Sequence, residues 1–343
     1  MNWKQVHSAL NNFIKNHSEI VINQSEISIP KALRDEFYQR FDDLRRAVVE
    51  VHSTSLNSDL NLLSESYCRI EKEVVDLLKL DSISMPMDLF AFVHSPEDGL
   101  MRILYNRTFD LLQGKITIDD YEEQAAAELQ SVAAELFRLG YEQWAGLAMI
   151  KQLDPDEAYF VDLDEDYKPC LAELKIIAFG RQAHHPTIRI PEFVLHSGKL
   201  NKYVAVKMML ASEIETYVAQ FKPAVRPRKK TGDTSFALDS RIMLLSLMES
   251  KKDIPIIADI YELKRTSPDL VMGYISGNEI GDPVALDRVN RNLRALNPKI
   301  GMCMVVVGSC LEADIANIPE DVKTVATGFD QSSFESVIET ITA

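Results

Sequence analysis

The sequence predicts an α+β protein with an N-terminal helical region, a central strand-rich segment and a C-terminal mixed-sheet α/β domain with flanking helices. Apolar residues recur at three- and four-residue spacing up to about residue 150, the period of a helix with one buried face. Beyond Ala158 that period gives way to short apolar runs bounded by turn residues, which read as strands. With 343 residues, 46% of them hydrophobic and 26% charged, the chain is long enough for two domains with a sizeable core. The expected division is a helical domain over 1–155 and, over 156–343, a strand-rich segment leading into an α/β domain whose core is 211–343.

Within the first region Phe37, Phe41, Leu44, Val48 and Val51 form one stripe, and Leu63, Tyr67, Ile70, Val74 and Leu77 another. The segment SLNSDL between them is a turn, so 32–79 is expected to be a helical hairpin. Pro86 and SPEDG at 95–99 punctuate the chain. Helices follow over about 100–113 and 119–150, the latter with Asp119 and Asp120 at its start as caps. Helix packing accounts for all these stripes.

AYFVDL and CLAELKIIAF flank DEDYKP as one hairpin, and TIRIPEFVL and KYVAVKMML flank HSGKLN as a second. A helix over about 211–221 leads into a basic, proline-containing linker, 222–233. Two apolar strands over 242–248 and 254–264 come next. Asp282 then caps a helix with Pro283 in its first turn, running to about Leu296. IGMCMVVVGS is a buried strand, 310–317 a short helix, VKTVAT a strand and 331–342 a closing helix.

No apolar run approaches the ~20 residues of a membrane-spanning helix. The first twenty residues lack the apolar stretch of a secretory signal, so a cytoplasmic protein is expected. Cys68, Cys170, Cys303 and Cys310 are scattered, which argues against a zinc cluster or a disulfide framework. Cys310 follows a strand near a helix start, where a thiol is activated most readily, yet no histidine lies beyond His196 to serve it.

A net charge of −15 excludes a protein that coats nucleic acid with its whole surface. The charge is nevertheless uneven. Between Lys199 and Arg265 there are 13 Lys/Arg against 8 Asp/Glu, so that this stretch carries +5 and the remainder −20. Lys222, Arg226, Arg228, Lys229 and Lys230 centre the excess and are the candidate nucleic-acid contacts; a solvated basic loop is the competing reading.

The chemical signal lies directly after them. Asp239 opens the strand 242–248, and Glu262-Leu263-Lys264 ends the following run. In a strand alternate side chains share a face, so Glu262 and Lys264 point together. If the two runs pair, Asp239 joins them. Two carboxylates and an ammonium on one face suit a divalent metal and a phosphodiester. The same run also reads as a helix with Asp253 as N-cap and Pro255 in its first turn, and then Glu262 and Lys264 part.

An acid at the start of one strand, E-x-K at the end of the next, a leading helix, and then a helix and a further strand resemble the PD-(D/E)xK, or restriction-endonuclease-like, superfamily. The resemblance covers about 211–330. It departs from the pattern in having Leu238, not proline, before Asp239. It implies a nuclease, active or degenerate, in which Asp239 and Glu262 hold Mg²⁺ and Lys264 orients the attacking water or stabilises transition-state charge. A second E-x-K, Glu173-Leu174-Lys175, follows Asp162 and Asp164 without the helix–strand sequel. His184 and His185 are candidate metal ligands, although neighbours in a strand face opposite ways. VVVGSC resembles a phosphate-binding turn with a single glycine. A competing class is a non-catalytic assembly protein whose acidic N-terminal helices bind a protein partner or a second copy.

Overall fold

The computed structural model describes residues 2–52, 57–180, 185, 187–211, 213–214, 241–259, 264–277, 279–308 and 315–342. The fold is α+β, as the sequence predicts, with helices first and a mixed eight-stranded sheet after them. It divides into two compact units, one of residues 1–68 and 86–140, the other of 69–85 and 141–343.

The first unit is helical. It holds α1 (Trp3–Asn16), a minimal hairpin β1 (Val21–Ile22) and β2 (Ile27–Ser28), and α2 (Arg34–His52). The first part of α3 (Asn57–Leu78) joins them, with α4 (Met87–His94), α5 (Pro96–Ile103), α6 (Tyr105–Leu112) and the start of α7 (Ile118–Gln152). Phe37, Phe41, Leu44 and Val48 of the predicted α2 stripe are fully buried and form the core face, whereas Val51 at its end is exposed, and the Phe41 ring lies 4.5 Å from that of Phe109. Arg45 is buried beside that core, where it donates to the Met101 carbonyl at 2.7 Å, pairs with Asp42 and lies over the Phe41 ring, while its Nε finds no partner among the described residues.

Two local expectations are corrected here. The helix over 100–113 is two helices, α5 and α6, meeting at Leu104, and Pro96 stands in the first turn of α5, where its missing N–H costs nothing. The cap of α7 is Thr117 rather than the two aspartates alone. Its hydroxyl accepts the Asp120 amide at 3.1 Å, and the Asp120 carboxylate accepts the Thr117 amide at 3.3 Å, a reciprocal capping box.

The second unit is built on strands β4 (Pro155–Leu163), β5 (Pro169–Glu173), β8 (Phe193–Ser197), β9 (Lys202–Leu210), β10 (Arg241–Met248), β13 (Leu270–Ser276), β14 (Gly301–Val307) and β15 (Val322–Ala326). Their order across the sheet is β15-β14-β13-β10-β9-β8-β4-β5. The pairs β13/β14 and β14/β15 are parallel, and every other pair is antiparallel. Helix α8 (Pro283–Ala295) makes the crossover between β13 and β14, which parallel pairing requires. It covers the face carrying Ile242, Leu244, Val271, Ile275, Met304 and Val306. Contact is closest at Gly273, where a Cβ would come within 3.0 Å of Leu293 Cδ2. The far part of α7 covers the opposite face, with Gly146 against Phe179 and Met208, and α9 (Glu335–Thr342) closes the chain.

Two smaller sheets complete the unit. Strand β3 (Ser82–Ser84) pairs in parallel with β6 (Ile176–Ala178). Strand β7 (Ile188–Arg189) pairs with β11 (Ala258–Asp259), which pairs with β12 (Lys264–Arg265). The predicted second hairpin is therefore β8/β9 alone, and Ile188–Arg189 of its first run form β7 in another sheet.

Candidate functional site

Asp239, Glu262, Lys222, Arg226, Arg228, Lys229 and Lys230 lie outside the described residues, as do His184 and Cys310. Lys264 lies within them, exposed on β12 opposite Asp259 of β11. The expected pairing of the run 254–264 with 242–248 is corrected. Both neighbours of β10 are other strands, β9 through eight residue pairs and β13 on the far side. Ala258 pairs with Arg265, and the Thr266 amide donates to the Ile257 carbonyl at 3.0 Å, so the chain departs and returns between β10 and β13. Nor does 254–264 form one helix, because Ala258–Asp259 and Lys264–Arg265 are extended. Strand β10 runs about 23 Å from Arg241 to Met248 at ~3.3 Å per residue. Asp239 precedes its first end, while the excursion carrying Lys264 leaves from its last.

The remaining sequence candidates are bound into local structure. Glu173 and Lys175 pair with each other at 3.3 Å on the surface. His185 Nδ1 lies 3.3 Å from the Thr187 and Ile188 amides and its ring meets Tyr167 at 4.8 Å, so it closes a turn. Burial pushes the Cys303 thiol up to about 12, well out of reactive range. Among the described residues no group of three or more His, Cys, Asp or Glu side chains gathers as a metal site.

What the fold does bring together is a buried polar cluster at the first residue of β10. Arg241 is 8% exposed, and its Nε and Nη1 are buried with no hydrogen-bond partner among the described residues. Its backbone amide donates to Glu142 Oε2 at 3.3 Å, and Glu142, on the inner face of α7, is 0% exposed. Tyr274, near the end of β13, completes the group. Burial holds its phenol well above the usual tyrosine range, Glu142 adds to that shift and Arg241 opposes it. The two-residue strand period places Arg241, Met243, Met272 and Tyr274 on one face, the face turned to α7.

Neighbouring residues of α7 tie this corner to the ends of the parallel strands. The Tyr141 hydroxyl hydrogen-bonds to the Thr327 hydroxyl and donates to the Val306 carbonyl at 3.3 Å. Gly308 after β14 and Gly328 after β15 both take positive φ, and a Cβ at either would meet no atom within 4 Å. On the other side Gly180 approaches so closely that a Cβ there would lie 3.5 Å from Arg241 Nε. Its φ of +74° already favours glycine. The Gly180 amide donates to Glu192 Oε1 at 3.0 Å, and the same oxygen receives Lys207 Nζ at 2.9 Å. Burial raises the Glu192 carboxyl pKa while Lys207 opposes the shift.

Sequence reasoning passed over this cluster. Two signals pointed to it: a lone charge, Arg241, heading an otherwise apolar strand, and a lone acid, Glu142, opening the apolar stretch up to Ile150. No family model, no curated protein and no solved structure matches this chain.

Proposed function

We propose that the chain is a metal-dependent phosphodiesterase of PD-(D/E)xK type, active or degenerate, acting on nucleic acid. The observation that carries this reading is the surroundings of β10, the strand that Asp239 leads into. It is central, lies antiparallel to β9 and β13, and is followed through β13 by helix α8 and strand β14. The strand, helix and further strand after β10 follow the order of the sequence resemblance and support it, while the E-x-K run departs from it by pairing outside the main sheet. In this reading Asp239 and Glu262 are the hard oxygen donors that suit Mg²⁺, Lys264 is the accompanying cation, and Lys222, Arg226, Arg228, Lys229 and Lys230 contact neighbouring phosphates. A bound Mg²⁺ supplies Lewis-acid activation of water and phosphate.

The test is cleavage of labelled single- and double-stranded DNA and RNA in Mg²⁺ or Mn²⁺ by wild type, Asp239→Ala and Glu262→Gln. Loss of cleavage in both variants, with unchanged thermal unfolding, is the expected result. Cleavage at wild-type rates in either variant overturns the assignment.

A second reading is favoured by the position of Lys264, exposed on a strand that pairs with β11 and not with β10. It makes the chain a non-catalytic assembly protein that meets a protein partner or a second copy through its N-terminal helices. Absence of cleavage by wild type, together with a concentration-dependent change in sedimentation, is the outcome that selects it.

A further inference from the structure

We infer that the cluster at the head of β10 is a phosphoryl-oxyanion site, with Arg241 as the residue that binds the ligand. A guanidinium does not lose its proton in a protein, so burying one leaves donors that demand an acceptor. Arg241 is more than nine-tenths buried, and neither Nε nor Nη1 meets one. Glu142, the neighbouring carboxylate, accepts the backbone amide of Arg241 instead. Two buried guanidinium nitrogens without a partner, in a cluster that also holds the unpartnered Tyr274 hydroxyl, are a ready donor set for an oxyanion.

Position and charge narrow the ligand. Tyr274 lies two residues before the end of β13, Val306 one before the end of β14, and Thr327 follows β15, so the cluster sits towards the carboxyl ends of the parallel strands. Ligands of open α/β sheets bind at that edge, and among the described residues no atom lies within 4 Å of where a Cβ would stand at Gly308 or Gly328. One guanidinium beside one carboxylate leaves no surplus charge for a highly charged anion. A singly charged oxyanion fits better, as a phosphodiester is. The choice of phosphorus over carbon rests on the function proposed above, whereas the need for an oxyanion does not.

The experiment uses the full chain and inorganic phosphate as the probe, titrated by calorimetry and by the shift of the unfolding temperature against chloride at matched ionic strength. Wild type is expected to bind saturably, and Arg241→Lys, which keeps the charge but loses the planar set of donors, at least 10-fold more weakly. If Arg241→Lys does not fold, Tyr274→Phe is the second variant, expected to fold and to bind several-fold more weakly. Displacement of phosphate by oligothymidylate identifies the ligand as a nucleic-acid phosphodiester. Retained phosphate in its presence identifies a small phosphate compound at the same site. No saturable binding by folded wild type overturns the inference, as does equal affinity in Arg241→Lys. Either negative result accompanied by Mg²⁺-dependent cleavage leaves the proposed function standing, so the two fail separately.

Discussion

Lys207 and Glu192 form an ion pair of 2.9 Å with each side chain only 5% exposed. Such a pair adds little over a matched apolar pair, because desolvation offsets its attraction, but breaking it leaves one charge buried alone. Lys207→Met is therefore expected to cost about 3–5 kcal/mol, and the double variant with Glu192→Leu to recover much of that. Urea unfolding of the single and double variants measures both. The dependence on pH has a definite sign. Burial raises the folded pKa of Glu192 above its ordinary 4.5, so its protonated form favours folding, and that contribution is complete below 4.5 and lost as pH rises through the raised value. Removing Lys207 takes away the influence opposing the shift, so the deficit of Lys207→Met should be largest near neutrality and shrink towards pH 4.5. An equal deficit at both pH values is incompatible with a buried, ionisable Glu192. Pairs of this kind are invisible in the sequence. Glu192 sits after Pro191 in a turn-like context and Lys207 alternates with apolar residues, so each reads as an outward-facing charge until the strand β9 beside it fixes which way it points.

Elements whose boundaries are set by local chemistry were readable from the chain. Asp282 accepts the Val284 amide at 2.9 Å with Pro283 in the first turn, and α8 ends at Ala295, within a residue of the expected Leu296. Asp282→Ala should lower stability by about 1 kcal/mol, the ordinary worth of an N-cap, while Asp282→Ser should be close to neutral. Calorimetric melting of the two variants separates a cap from a mere surface acid. The turn between β4 and β5 and the strands β14 and β15 are likewise readable, because their turn residues and apolar runs are contiguous, but the expected hairpin arm CLAELKIIAF breaks after Glu173 and its Ile176–Ala178 pair with β3 as β6. The run 254–264 was not. Its apolar residues suggested one long strand, but Ile254 and Ile256 pack onto a cluster around Val161, Val194 and Met248, and only two residues enter β11. The partner of β11 is β7, some seventy residues earlier in the chain, and no local pattern announces a pairing of that range. The expected pairing of that run with β10 is corrected at the same point. An E-x-K signature is short-range, whereas its convergence with Asp239 depends on which strand lies beside β10, and that strand is β13.

At the scale of the whole molecule the net charge of −15 and the local excess of +5 between Lys199 and Arg265 oppose each other in any encounter with nucleic acid. The acidic remainder repels a polyanion at distances up to the screening length, about 8 Å at physiological salt. The basic segment acts only at contact, through release of condensed counterions. The two effects differ in how they respond to salt, which makes the contribution of the segment measurable. Each phosphate neutralised contributes about −0.7 to the slope of log K against log salt for single strands and about −0.9 for duplex. Replacing Lys222, Arg226, Arg228, Lys229 and Lys230 together by Gln should then flatten that slope by about 3.5 for a single strand and 4.5 for a duplex, if all five engage phosphates. Fluorescence anisotropy of a labelled oligonucleotide from ~50 to ~300 mM salt reads the slope directly. A binding that weakens with no change of slope would mean that the five side chains contribute by something other than their charge. In that case Arg241, buried at the head of β10 and shielded from bulk ions, would be the residue left to make a phosphate contact that salt does not erode.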